Sequence, residues 1–291
     1  MIMWRASTLT FLKNDHPLVM AHRGNSAEVP ENTREAFEDA ARLQGVDVIE
    51  TDTYLTSDDN FVFFHDPRLQ RTTNGRGNIK ARTLAELKTL DAGYNFEDDE
   101  GGHPFRGKGF AIQSIDEILS QFPDQRFNID IKSKDPRAPS LLAKKLVDLG
   151  IEDGPGSRVL VASFWNDQIR RFRASSHIPT SASTGEVISF RGRLHKWMKK
   201  HPGDHVEGLT QEIVLGKEVD YVALQIPERF WILTVINGPR FVAIAHELGI
   251  AVHVWTINEQ EKMDRLLQWG VDGIFSDRPG LLIEVIHHVN F

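Results

Sequence analysis

The chain has 291 residues, a formal net charge of −7, 40% hydrophobic and 26% charged residues, and no cysteine. That length suffices for one large α/β domain, and the composition is ordinary for a globular protein. The lack of cysteine excludes disulfides, zinc–thiolate sites, iron–sulfur clusters and thiol nucleophiles, and the acidic balance speaks against a nucleic-acid partner.

In chain order, β-branched apolar runs alternate with helical patterns. The opening "MIMWRASTLTFLKNDHP" lacks the sustained apolar centre and small-residue cleavage site of a signal peptide, so a cytoplasmic location is expected. Strands are predicted at "LVMAHR" (18–23), "VDVIETDTYL" (46–55), "RFNIDIK" (126–132), "RVLVASF" (158–164), "TSAST" (180–184), "YVALQI" (221–226), "AVHVWTI" (251–257) and "GIFSD" (273–277). Helices are predicted at 32–44, 138–149, 166–175, 240–248, 259–268 and 279–288. Eight βα units in succession predict a closed (β/α)8 TIM barrel, with an open doubly wound sheet as the alternative. Residues 66–113, rich in Gly, Asn, Asp and Arg, break the rhythm and read as a small insertion after the second strand, within a single domain spanning 1–291. No run approaches the roughly 18 apolar residues of a membrane helix.

Chemistry in such a barrel sits at the carboxyl ends of the strands. His22 and Arg23 end the first predicted strand; Glu50 and Asp52, two apart on the second, point to one face. Asp130 and Lys132 repeat that spacing on the third, and His65-Asp66 closes "FVFFHD". Taken singly each group has an ordinary structural explanation; their coincidence at one mouth does not. Three carboxylates that close repel one another unless a cation intervenes, so Glu50, Asp52 and Asp130 are expected to hold one hard divalent cation, Mg²⁺ or Ca²⁺.

Several other patterns carry less. "GHPFRGKG" (102–109) has P-loop spacing, but Gly109 replaces the required Ser or Thr. "RGRLHKWMKKH" (191–201) reads as a solvated helix face, with peripheral contact to an anionic membrane as the alternative. Nothing in the sequence speaks to oligomeric state.

The segments "HRGNSAEVPENTREAF", "GVDVIETDTYLTSDDNFVFFHDPRLQRTTNGRG", "NIDIK" and "VHVWTINEQEKMDRLLQWGVDGIFSDRP" together resemble the glycerophosphodiester phosphodiesterase family over about residues 18–288. The resemblance implies a (β/α)8 barrel, a divalent metal, and hydrolysis of glycerophosphodiesters to an alcohol and sn-glycerol 3-phosphate. It implies His22 and His65 as the general acid–base pair and Glu50, Asp52 and Asp130 as metal ligands. Asp130 stands where the family usually has Glu. It further implies that Arg23 and Lys132 contact the phosphate, that Glu31 sits near the metal, and that Trp255 lines the substrate pocket. The implied substrate is a small glycerophosphodiester. The alternative is a lysophospholipid still carrying its acyl chain, cleaved by the same site as a lysophospholipase D, with Phe230, Trp231 and residues 190–201 as candidate apolar walls. A lyase making a cyclic phosphate and a non-catalytic barrel are weaker readings.

Overall fold

Alternation along the apolar runs sorts side chains between barrel interior and helical shell, and that sorting places the polar groups. The computed structural model describes residues 5–203, 205–230 and 233–288. The first half of the chain forms β1 (Leu18–His22), α1 (Arg34–Arg42), β2 (Val48–Leu55), β3 (Phe61–Phe63), α2 (Leu84–Leu87), α3 (Ile115–Gln121), β4 (Arg126–Ile131) and α4 (Ala138–Asp148). There follow β5 (Val159–Ala162), α5 (Asn166–Arg173), α6 (Thr184–Lys200), α7 (Gln211–Leu215), β6 (Ala223–Pro227), β7 (Arg229–Phe230), β8 (Leu233–Thr234) and α8 (Pro239–Glu247). The chain ends with β9 (Ala251–Trp255), α9 (Gln260–Gln268), β10 (Gly273–Ser276) and α10 (Pro279–His288).

The main sheet runs β5-β4-β2-β1-β10-β9-β6, each neighbour parallel, with β3 antiparallel on β2. The expected strand at 180–184 is reduced to two bridging residues: Thr180 pairs with Val161 on β5, and Ser181 with Ala223 on β6. The Val222 N–H donates to the Thr180 carbonyl at 3.0 Å and the Ala182 N–H to the Ala223 carbonyl at 2.9 Å. These residues join the two edges, so the sheet closes as a (β/α)8 barrel and not as an open doubly wound sheet. The stave is short because Ser183 already starts α6, its N–H donating to the Glu186 carboxylate at 2.8 Å.

Outward residues such as Ile49, Phe127, Ile129 and Val161 pack with Phe37, Leu142 and Phe172 of the helices on one side. Val252, Val254 and Ile274 do the same against Phe241, Leu266 and Leu282 on the other. Inward residues form layers. Leu18, Met20, Val48, Leu160, Ala251 and Phe275 make an apolar layer together with Leu9 and Phe11. The N-terminal segment thus plugs the barrel bottom, held by Arg126, which donates to the Phe11 carbonyl at 3.0 Å and pairs with Asp47 at 2.9 Å. Above that layer the inward positions turn polar. After β3 the chain packs a small core of its own from Phe64, Leu69, Ile79, Leu87 and Ile112. No described helix is long and apolar enough to cross a membrane.

Candidate active site

β1 delivers His22 to the barrel mouth, and the chain then turns sharply through Arg23 (φ 56°) and Gly24 (φ 86°). A Cβ on Gly24 would lie 2.7 Å from the backbone of Ala36, so only glycine fits this turn. The left-handed conformation of Arg23, uncommon for a side chain with a Cβ, lets its N–H donate to Glu50 Oε2 at 3.1 Å. Its guanidinium reaches Asp52 Oδ2 at 3.1 Å and Glu31 Oε1 at 3.0 Å. Asn32, also left-handed at φ 58°, donates to Asp52 Oδ2 at 3.1 Å and accepts from Thr51 Oγ1 at 2.7 Å.

Register brings the acids together: His22 sits opposite Glu50, and Asp52 opposite Asp130. Lys132 lies between the last two, with Nζ 3.1 Å from Asp52 Oδ1 and 2.7 Å from Asp130 Oδ2. Burial works against the Asp52 charge, but Lys132 and Arg23 outweigh it and hold its pKa well below the carboxylate range. Glu50 fares differently: burial, then the Asp52 charge, push its carboxyl up to about 7. Asp130 Oδ1 is buried and finds no hydrogen-bond partner among the described residues.

Two histidine–aspartate pairs flank this cluster. His22 Nδ1 lies 2.6 Å from Asp277 Oδ1, and Asp277 is held by Asn258 at 2.6 Å and Ser26 at 2.9 Å. Burial opposes charge on His22, but Glu50, 3.9 Å from Nε2, and the Asp277 bond raise its pKa. Asp277 itself is brought down to about 2: the His22 bond overcomes burial. Across the mouth, His65 Nδ1 lies 2.6 Å from Asp66 Oδ1, and its pKa is lowered by burial, with Arg23 and Lys132 adding to the effect. In both pairs the carboxylate fixes the proton on Nδ1 and leaves Nε2 for the cavity.

That cavity, about 480 Å³, has two unlike halves. His22, Arg23, Glu50, Asp52, His65, Asp130 and Lys132 form the polar half; Phe164, Ala182, Val187, Ile188, Ile226 and Val235 form an apolar one. Trp255 stands on the wall, its ring 5.6 Å from that of Phe164, which also lies 4.7 Å from Lys132 Nζ. A second groove, of about 450 Å³ near Leu69, Arg76 and Thr89, carries none of the convergent groups.

The structure therefore brings eight of the nine expected site residues into this cavity wall, and places the ninth, Glu31, just behind it between Arg23 and Arg71. Lys132, expected to meet phosphate, is also the cation that neutralises Asp52 and Asp130. Among the described residues no group of three or more His, Asp or Glu stands posed to hold a metal ion. The apolar wall differs from the expected one: of residues 190–201 only Arg191 and Gly192 line the cavity, while Phe190, Leu194 and Trp197 are core. Trp231 lies outside the described residues, and of Phe230 only the backbone is described. Sequence reading missed Asp277, Asn258, Asn32 and Arg71; the first two lie in or beside the quoted "SDRP" and "VWTIN" segments, whose spacing alone does not point to His22.

The profile of the Glycerophosphoryl diester phosphodiesterase family matches residues 22–281. Among curated proteins, the glycerophosphodiester phosphodiesterase of Caldanaerobacter subterraneus is 33% identical, over 92% of this chain and 97% of its own length. That of Bacillus subtilis is 30% identical, over 96% of this chain and 90% of its own. A solved Oleispira antarctica phosphodiesterase, in complex with the product sn-glycerol-3-phosphate, superposes with a TM-score of 0.68 at 25% identity, covering 94% of this chain and 97% of that one. A profile matching almost end to end, relatives matching over nearly their whole lengths, and a shared barrel lead to one conclusion: the chain belongs to the glycerophosphoryl diester phosphodiesterase family.

Proposed function

We propose that this chain hydrolyses glycerophosphodiesters to an alcohol and sn-glycerol 3-phosphate, with His22 and His65 as the acid–base pair. The observation that carries the reading is the pair of imidazoles, each anchored through Nδ1 by a carboxylate, lining one cavity with Arg23 and Lys132. A phosphodiester is an anion and repels a nucleophile. Arg23 and Lys132 offset that charge and the charge growing on the phosphoryl oxygens. One imidazole takes the proton of the nucleophile as the new P–O bond forms; with water this gives sn-glycerol 3-phosphate directly, and with the substrate's own glycerol hydroxyl it gives a cyclic phosphate, one ring P–O bond of which water then breaks. The other donates a proton to the departing alkoxide as the old P–O bond breaks.

The donor set suits one hard divalent cation, Mg²⁺ or Ca²⁺, held by Glu50, Asp52 and Asp130. Asp130 Oδ1, without a hydrogen-bond partner among the described residues, and the uncomfortable charge of Glu50 support this. Bound there, the cation would act as a Lewis acid toward the phosphoryl oxygen.

A second reading, cleavage of lysophospholipids, is favoured by the apolar half of the cavity, where Phe164, Val187 and Ile188 could flank an acyl chain. One experiment tests both: product release from glycerophosphocholine and lysophosphatidylcholine with EDTA, Mg²⁺ or Ca²⁺, and with His22→Ala as control. Turnover of the small substrate with a divalent ion, lost in the variant, is expected. Turnover of the acylated substrate alone moves the assignment to the second reading, and no turnover of either under any condition refutes both.

A further inference from the structure

Within the catalytic reading above, we infer that Arg71 is a positioning residue that fixes His65 through Asp66. Arg71 touches neither histidine. Its Nε donates to Asp66 Oδ2, while Nη1 and Nη2 donate to Glu31 Oε2 and Oε1 at 2.7 and 2.6 Å. One planar guanidinium thus binds two carboxylates with three donors, a pattern that lysine cannot reproduce.

The consequence falls on His65. Asp66 follows it directly in sequence and would, with a single hydrogen bond, be free to swing about its own side-chain torsions. Arg71 takes the second Asp66 oxygen and removes that freedom, so Asp66 Oδ1 stays 2.6 Å from His65 Nδ1. The imidazole then keeps its proton on Nδ1 and turns Nε2 to the cavity. His22 receives the same service from Asn258 and Ser26, which hold Asp277. Arg71 is the counterpart on the other side of the mouth.

The anchor is itself rigid. Arg71 ends a single helical turn, Leu69–Arg71, whose Leu69 is buried in the small core beside Ile79 and Leu87. Backbone bonds from Leu69 N to the Gly77 carbonyl and from Thr73 N to the Leu69 carbonyl, both 3.1 Å, fix the turn. Arg23 shares Glu31 with Arg71, but its contact to Asp52 at 3.1 Å does not involve Arg71. Loss of Arg71 therefore acts on proton transfer more than on phosphate binding.

The test is a double-mutant cycle of Arg71→Lys and Asp66→Asn, with kcat and KM measured on glycerophosphocholine and the His65 tautomer read by ¹⁵N NMR against His65→Gln. Each single variant should lower kcat by about 10- to 100-fold with KM changed by no more than about twofold. The double variant should lose no more than the worse single, because both act on one contact. In Arg71→Lys the His65 proton should no longer be confined to Nδ1. Unchanged kcat, additive losses, a raised KM at constant kcat, or an unaltered tautomer would each overturn the inference. If the wild type turns over no glycerophosphodiester, the functional reading fails, and the tautomer still decides what Arg71 does.

Discussion

His253 offers a direct measure of how the barrel interior treats charge. It lies on the inward face of β9, fully buried, with its ring 6.1 Å from that of Phe275. A Cβ on Gly273 would come within 3.2 Å of its ring, so glycine makes the room for it. Gln225 Nε2 lies 3.4 Å from Nδ1, and Nε2 finds no partner among the described residues. Protonation would put a charge into that space that Asp272 offsets only in part, and burial pushes the imidazole pKa down to about 4. In the unfolded chain the same group titrates near its ordinary value of about 6.5. Below that value the unfolded state binds a proton that the folded state refuses, so stability is full at higher pH and falls as the pH drops from about 6.5 to about 4. The difference amounts to about 3 kcal/mol when complete, and to about 2 kcal/mol between about pH 7.5 and pH 5. Urea denaturation of wild type and His253→Gln at those two pH values isolates it, because other titrating groups cancel in the comparison. The variant should lose about 2 kcal/mol less on acidification. Equal losses in the two proteins would refute the reasoning.

Two further perturbations bear on the fold and on the acid cluster. Phe11→Ala removes a fully buried ring from the barrel bottom and should cost about 3–5 kcal/mol in urea denaturation; a loss below about 1 kcal/mol would mean that the N-terminal segment does not plug the barrel. Mg²⁺ at about a hundred times its Kd should stabilise the protein by about 2.7 kcal/mol, and Glu50→Gln should abolish that response; an undiminished response in the variant would exclude Glu50 as a ligand.

The fold was legible because β-branched runs and amphipathic periodicity are local signals, and seven of the eight expected staves appear as strands. The eighth was misjudged in length: Ser183 and Glu186 begin α6 where the sequence reads as extended. The same early start explains the displaced apolar wall. A helix that begins at Thr184 turns Val187 and Ile188 to the cavity, while Phe190 and Leu194 rotate into the core. At the site, Glu50 and Asp52 were legible because a spacing of two on a strand fixes a shared face. Asp277 was not, because it meets His22 across 255 residues of chain, and only closure of the barrel sets β10 beside β1. Arg71 was hidden for a related reason: Asp66 is five residues away on an irregular segment with no fixed periodicity, and Glu31 lies 40 residues away.

The paired carboxylates of β2 end in unequal states, and the inequality follows from their neighbours. Asp52 has Lys132, Arg23 and Asn32 around it. Glu50 has one backbone N–H and a histidine 3.9 Å away. Burial and the Asp52 charge both act against a charge on Glu50, and His22, Arg23 and Lys132 offset them only in part. Three carboxyl groups face two fixed cations here, so ionising all three would leave the cluster negative before a phosphodiester adds its own charge. The cation proposed above would relieve that excess where Glu50 and Asp130 Oδ1 have the fewest positive neighbours. A carboxyl held up to about 7 weakens the fold as the pH rises from its ordinary range toward that value. Removing the charge should then do by itself part of what a cation does: Glu50→Gln should stabilise the metal-free protein at neutral pH, by about 1–3 kcal/mol. A destabilised variant would mean that Glu50 is satisfied by its present neighbours and that the excess charge lies elsewhere.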